Sequence, residues 1–333
     1  ATLRVKDAVA DRFRAKGGER PSVNTQWPDV RLYAHLTSEH MTLYIDTSGE
    51  PLFKRGWRED KGDAPLKETL AAAMIAATGW DGSQGAALPL YDPCCGSGTV
   101  LIEAAQMALN IAPGSTRRFA FEKLLPFQSH VWQGIKAQAQ AAQKPWPEGQ
   151  KPFIFGSDVA FRMVDFAQRN AQRAGVAHAI ELRGGDALQR LPPSDTPGVM
   201  LLNPPYGERI AAAGVAGTRA ADRAQGREQR REGGHTGGRE SAQLADGGES
   251  GDFFAQLASH WKKHYSGWSA WMLTPDLKLP GKMRLKESRR VPMWNGPIEC
   301  RLFRFDMVKG SLKRTANDTP SADTPGAAGT PAP

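Results

Sequence analysis

Pro89-Leu90-Tyr91-Asp92-Pro93-Cys94-Cys95-Gly96-Ser97-Gly98-Thr99, continued by Val100-Leu101-Ile102-Glu103-Ala104-Ala105, is the stretch whose reading decides the fold. A short apolar run ends in an acid, a glycine turn follows, and an apolar pattern with helical spacing begins. The order is strand, tight turn, helix N-terminus. Glycines at 96 and 98 let the backbone come close to a ligand, and the free N–H groups of a first helical turn point toward it.

Downstream, the same unit recurs. Phe153-Ile154-Phe155-Gly156-Ser157-Asp158 reads as a strand ending in an acid, and residues 161–174 as its helix, closed by Gly175. Ala179-Ile180-Glu181-Leu182 with Gly185-Asp186-Ala187 repeats strand and turn, and Gly198-Val199-Met200-Leu201-Leu202 is a buried-type strand running into Asn203-Pro204-Pro205-Tyr206. Strands alternating with helices predict an α/β fold with a doubly wound, mostly parallel sheet. The spacing predicts a further helix over 253–265 and strands over 269–273, 286–293 and 299–305. Residues 112–147 are expected to be helical in parts (119–125 and 131–143) and to cover the ligand crevice.

Upstream, residues 66–78 form an apolar helix stopped by Gly79-Trp80, and 51–65 read as a charged linker. Residues 5–13 are spaced for a helix, and the alternating runs 30–36 and 41–46 for a hairpin. A helix and a hairpin are too little for a stable domain, so this segment reads as the rear part of a larger unit.

The 333 residues suffice for one large α/β domain and a smaller unit, and 40% hydrophobic residues support a core. The 35 Gly and 24 Pro cluster in a few segments. Residues 211–251 are Gly, Ala, Arg, Glu and Gln with almost no large apolar side chain, and 311–333 form a Pro/Ala/Thr-rich tail. Both are expected to be disordered, because neither can bury enough surface to order itself. No run approaches the roughly 18 apolar residues of a membrane span, and the first residues show no signal-peptide pattern. Three cysteines, two of them neighbours in the glycine turn, give no disulfide framework, so a reducing cytoplasmic setting is expected. The net charge of +8 suits a polyanionic partner such as RNA or DNA.

Asp92, Asp158 and Asp186 all stand at expected strand ends, where ligands of open α/β sheets bind. An acid after the second strand suits ribose hydroxyls, and one after the third suits an adenine amino group. Each alone is also an ordinary turn or cap residue. A dinucleotide is the obvious competitor, but Cys95-Gly96-Ser97-Gly98-Thr99-Val100-Leu101 lacks the third glycine of GxGxxG. Asp92 before the turn would repel a pyrophosphate and attract an ammonium. That points to S-adenosylmethionine, whose amino acid part carries one.

Asn203-Pro204-Pro205-Tyr206 is the sharpest motif. The prolines rigidify the exit of a buried strand. The Asn203 side-chain oxygen and the Pro204 carbonyl can both accept from one planar amine, and Tyr206 can stack on the ring that carries it. Other constellations are weaker. His260 and His264 share a helix face but lack the Glu of HExxH and a third ligand, so no metal is expected. The basic stretch Lys262, Lys263, Lys278, Lys282, Arg284, Lys286, Arg289 and Arg290, with Trp268 and Trp271 nearby, is either a solvated face or an RNA-facing stripe. Cys95 is not expected to act as a nucleophile.

Asp-Pro-Cys-Cys-Gly-Ser-Gly-Thr (92–99) with Asn-Pro-Pro-Tyr-Gly-Glu-Arg (203–209) resembles the THUMP-associated class I methyltransferases, closest to the bacterial RlmL type that methylates guanine N2 in large-subunit (23S) rRNA. Residues 54–58, 64–68 and 294–302 also match that family. The resemblance implies a Rossmann-like, seven-stranded methyltransferase domain over 51–310, preceded at 1–50 by the rear part of an α+β THUMP RNA-binding unit. It implies that Asp92, Pro93, Cys95, Gly96, Ser97 and Gly98 cradle the methionine part of S-adenosylmethionine. Asp158 and Val159 would take the ribose, and Asp186 and Ala187 the adenine. Asn203, also beside the cofactor, would hold the target amine with Pro204, Pro205 and Tyr206. It further implies rRNA as partner and a cytoplasmic, monomeric enzyme. The front half of the THUMP unit is missing, Cys94 stands where a bulkier apolar residue is expected, and the 211–251 insertion is longer than the family pattern. A tRNA guanine-N2 methyltransferase is the nearest alternative. An RNA-binding module or chaperone that holds the cofactor without turnover is the rival from another class.

Overall fold

The computed structural model describes residues 2–26, 28–62, 65–204 and 249–308, with the side chains of 249–252 excepted. Pro205, Tyr206, the 211–248 part of the expected insertion and the expected tail lie outside the described residues.

β3 (Leu90–Asp92), β4 (Ile154–Asp158), β5 (Ile180–Gly184), β6 (Val199–Leu202), β7 (Ser269–Thr274), β8 (Arg289–Asn295) and β9 (Ile298–Asp306) form one sheet in the order β5-β4-β3-β6-β7-β9-β8. β3 to β7 are mutually parallel, and only β9 opposes its neighbours. Alternate side chains leave opposite faces, as a pleated strand requires. Leu90, Leu201, Trp271 and Leu273 join one core with α2 (Glu68–Thr78), α3 (Thr99–Ala108) and α5 (Phe161–Arg173). Tyr91, Met200, Leu202 and Met272 join the other with α6 (Glu249–His264). Burial on both faces explains the continuous apolar runs.

The chain order reverses direction between β3 and β6. Such a switch point leaves a crevice outside the carboxyl ends of the two strands, and ligands of open α/β sheets bind there. Among the described residues no helix is long and apolar enough to cross a membrane.

Ahead of this sheet lie α1 (Thr2–Ala15) and an antiparallel hairpin, β1 (Leu32–Leu36) with β2 (Met41–Ile45). All ten hairpin residues are exposed.

Two expectations are corrected. Residues 51–65, expected as a charged linker, pack against the domain in their described part. Trp57 and Arg55 are buried, and Arg55 forks onto Glu103 of α3 with both bonds at 3.1 Å. A charge run looks solvated in sequence, but here buried carboxylates on neighbouring helices draw it in. Residues 112–147, which include α4 (Ser129–Ala141), do not close over the crevice. Thr116 Oγ1 donates to Arg55 O, and Phe121 N to Thr47 O. Lys144 N donates to Leu109 O at the far end of α3, and Trp146 stacks on Phe153 before β4 begins. These partners draw the segment along α3 toward the amino ends of the strands.

Candidate active site

Asp92 closes β3 at the switch point and is 2% exposed. Its Oδ1 accepts from Cys94 N at 3.0 Å, which bends the chain out of the strand. No basic side chain pairs with it among the described residues. Burial pushes its pKa up to about 8, the Cys94 N–H offsets part of that, and the Asp158 carboxylate adds to it. A buried, unpaired carboxylate is costly unless a cation neutralises it. The site therefore fits a cationic ligand and opposes a pyrophosphate.

The turn after it is held from within. Cys95 N donates to Ser157 O and Gly98 N to Cys95 O, both at 2.9 Å. Gly96 and Gly98 adopt φ of 53° and 85°, the left-handed region that favours glycine. At Gly98 space is short as well, since a Cβ would sit 3.0 Å from that of Ala167 on α5. Gly98 is the N-cap of α3 and supplies no side-chain cap, so the first-turn N–H groups keep their donor capacity for a ligand.

Asp158 ends β4. Its Oδ1 accepts from Ala160 N at 2.9 Å and its Oδ2 from Gly96 N at 3.0 Å, tying the second acid to the glycine turn. Burial raises its carboxyl above the ordinary range, and the two N–H donors offset part of the rise. Asp186 lies two residues past β5 and accepts from Leu188 N at 2.9 Å. All three acids thus cap their own turns, and the turn reading and the ligand reading of each are compatible. Val159 is half-buried and Ala187 buried beside their acids, and Pro93 is buried between Asp92 and the glycines.

Asn203 follows β6, which pairs directly with β3 through Leu90↔Val199 and Tyr91↔Met200. Asn203 and Asp92 therefore project from the carboxyl ends of adjacent strands, one either side of the switch point. Asn203 is half-buried and Pro204 buried. Burial pushes the thiols of Cys94 and Cys95 well up, so neither supplies a thiolate.

The weaker constellations change in the structure. His260 and His264 rings lie 4.8 Å apart, but His260 Nε2 meets Arg190 O at 2.7 Å, and no group of three metal-ligating side chains occurs among the described residues. Trp268 and Trp271 are buried in the core and offer no stacking platform. Within the basic stretch, Lys282 pairs with Asp276 and Arg290 with Glu287.

Sequence reasoning missed the residues that hold the turn from behind. Arg58, which Glu68 holds in place, and Asn170 converge on Ser97 and Thr99. Arg58 and Glu68 lie in stretches that match the family but carried no assigned role, and nothing local marks Asn170, because an asparagine within a helix reads as surface.

Residues 55–219 match the UPF0020 model, an RMKL-like methyltransferase domain, and residues 1–46 match the THUMP domain. The Ribosomal RNA large subunit methyltransferase K/L of Psychromonas ingrahamii is 35% identical over 334 residues, covering 97% of this chain and 39% of that protein. The chain thus spans about two fifths of the length of the curated relatives it matches. Among solved structures, a "possible methylase" from Clostridium difficile 630 superposes with a TM-score of 0.69 at 27% identity, covering 92% of this chain and 70% of that one. SMU.472, solved in complex with SAH, superposes with a TM-score of 0.67 at 26% identity, covering 92% and 69%.

Proposed function

From a chain that joins a THUMP segment to a methyltransferase domain of the RMKL-like UPF0020 family, we propose that the protein methylates the exocyclic N2 amine of a guanine in large-subunit rRNA, with S-adenosylmethionine as donor. The observation that carries this reading is the juxtaposition of Asp92 and Asn203 on adjacent strands at the switch point. One ends in a buried carboxylate, unpaired among the described residues, that suits the donor's ammonium. The other opens the motif suited to the acceptor amine.

When bound, the donor supplies an electrophilic methyl group on a sulfonium. Asp92 binds the ammonium of its amino acid part, and Pro93, Cys95, Gly96, Ser97 and Gly98 cradle that part against the start of α3. Asp158 and Val159 take the ribose, and Asp186 and Ala187 the adenine. The Asn203 side-chain oxygen and the Pro204 carbonyl accept the two amine hydrogens, which orients the nitrogen lone pair outward. Pro205 would stiffen the motif and Tyr206 would stack on a guanine taken out of its own stack. Orientation and the two fixed acceptors supply the catalysis, with no strong base needed before transfer.

The rRNA name belongs to the relatives, of which this chain spans 39%, and it supports the substrate class. Cytoplasmic, monomeric action without a metal is part of the same proposal. The test is tritium transfer to purified rRNA, tRNA, DNA and release factor. Label in rRNA, on guanine N2, is the expected result. Label confined to tRNA would move the reading to the tRNA class, and cofactor binding with no label anywhere would favour a non-catalytic RNA-binding module. Asn203→Ala should nearly abolish transfer while cofactor affinity stays within about threefold, and full activity in that variant would refute the role of Asn203.

A further inference from the structure

Behind the glycine turn, on the side away from the crevice, residues 52–60 lie as a strap against α3 and α5. Arg58 is its centre. Its side chain is 11% exposed and stacks over Trp57, 5.1 Å from the ring centroid. Nε donates to Glu68 Oε1 at 2.9 Å, and one terminal nitrogen to Ser97 Oγ at 3.1 Å. The other terminal nitrogen donates to Thr99 Oγ1 at 2.7 Å and to Leu66 O at 3.0 Å. The hydroxyls on both sides of Gly98 are thus drawn to one guanidinium. Asn170, fully buried on α5, grips the same turn through its amide. Its Nδ2 donates to Ser97 O at 3.0 Å and to Asp60 O at 2.8 Å. Its Oδ1 accepts from Glu59 N and Asp60 N of the strap and from Arg173.

The turn needs such a grip. Two of its five residues are left-handed glycines, which lose the most backbone freedom on ordering. A Ser or Thr hydroxyl beside a helix start also competes for the first-turn N–H groups. Arg58 removes both hydroxyls from that competition. Glu68 balances its charge, so the guanidinium behind the turn does not cancel the field of Asp92.

We propose that Arg58 and Asn170 are positioning residues for the donor. They hold residues 95–99 in the ligand-ready geometry, with the first-turn N–H groups turned toward the crevice. Donor binding then does not have to order the turn. The identity of the donor rests on the function proposed above. The geometry of the clamp does not.

The experiment therefore has two arms on the full chain. In the first, amide hydrogen exchange is measured on ligand-free protein for wild type, Asn170→Asp and Thr99→Val. Asn170→Asp keeps the acceptor for the strap but sets a carboxylate oxygen against Ser97 O. Thr99→Val removes one Arg58 acceptor and preserves shape. Amides of 95–99 should exchange at least about tenfold faster in both variants, with the second half of α3 and the sheet unchanged. In the second arm, calorimetric titration with S-adenosylhomocysteine should give a Kd weakened about tenfold in each variant, equivalent to about 1.4 kcal/mol. In turnover, the donor KM should rise while kcat at saturating donor and the KM for RNA stay within about threefold. Unchanged exchange at 95–99 in either folded variant overturns the clamp. A uniform rise in exchange over the whole domain also overturns it, because that is loss of fold rather than loss of a grip. A wild type that shows no titration rejects the donor assignment alone, since the exchange arm still decides the clamp.

Discussion

The buried Asp92 carboxylate, which pairs with no basic side chain among the described residues, makes donor affinity a function of pH. In the ligand-free protein burial holds its pKa at about 8 against an ordinary 3.8. A ligand cation beside it keeps it ionised in the complex, so binding must release the proton it carried. The ratio of protonated to ionised Asp92 is about 300 at pH 5.5 and about 3 at pH 7.5. Only the ionised form binds well, so the Kd for S-adenosylhomocysteine should tighten by nearly two orders of magnitude across that window. That is close to tenfold per pH unit. The window avoids the ligand's own α-amino group, which titrates near 8, and its carboxyl, below 4. Calorimetry in two buffers of different ionisation enthalpy should report release of about one proton at pH 6.5. Asn at position 92 can still accept from Cys94 N, so Asp92→Asn should fold, bind weakly and show neither the slope nor the proton. A wild-type Kd that moves less than twofold over the window would refute the argument. So would an equal slope in Asp92→Asn.

Three other outcomes follow from the same coordinates. A carboxyl whose folded pKa is raised has no cost below its unfolded value and a growing cost up to the folded one, so Asp92 lowers stability progressively between about pH 4 and pH 8. Chemical denaturation should therefore find Asp92→Asn more stable than wild type by a few kcal/mol at pH 8, with the gain vanishing toward pH 4. Burial raises the Glu103 carboxyl and the Arg55 fork offsets only part of that rise, so Glu103→Ala, which strands a buried guanidinium, should cost about 3–5 kcal/mol, and the double change Arg55→Met/Glu103→Leu markedly less. Gly156 packs so closely that a Cβ would clash with Leu101 and sit 2.9 Å from Leu182 Cδ2, so Gly156→Ala should lower stability by about 1–3 kcal/mol without changing which RNA is recognised.

Much of the crevice was legible because its signals are local. A strand that ends in Asp92 before two left-handed glycines carries its geometry in adjacent residues, and the burial of β6 and β7 on both faces follows from their continuous apolar runs. The order of β9 between β7 and β8 was not legible, since nothing local says which earlier strand a hairpin will dock on. Asn170 was invisible for a similar reason. Its partners Asp60 and Ser97 lie 110 and 73 residues away. The strap was read as a linker because its charge density hides the packing of its side chains, in which Arg58 and Glu68 satisfy one another out of water. Trp268 and Trp271 were misplaced by proximity in sequence to a basic run, although Trp271 on β7 and Trp268 just before it are both buried in the core.

The strap also bears on where this protein can be divided. Its residues follow the exposed hairpin without a break, yet their side chains are spent on α3 and α5. A fragment beginning at residue 47 would keep Arg55, Trp57, Arg58 and Asp60 in place. One beginning at 62 would leave Glu68 and Glu103 as buried carboxylates without the Arg58 and Arg55 that pair with them, and Asn170 without its three bonds to residues 59 and 60. A protease that nicks between 46 and 50 would leave the strap and its partners whole, whereas a cut a dozen residues later would part them. The backbone can thus be opened on the hairpin side of the strap without leaving the partner of Arg55 or Arg58 facing an empty place.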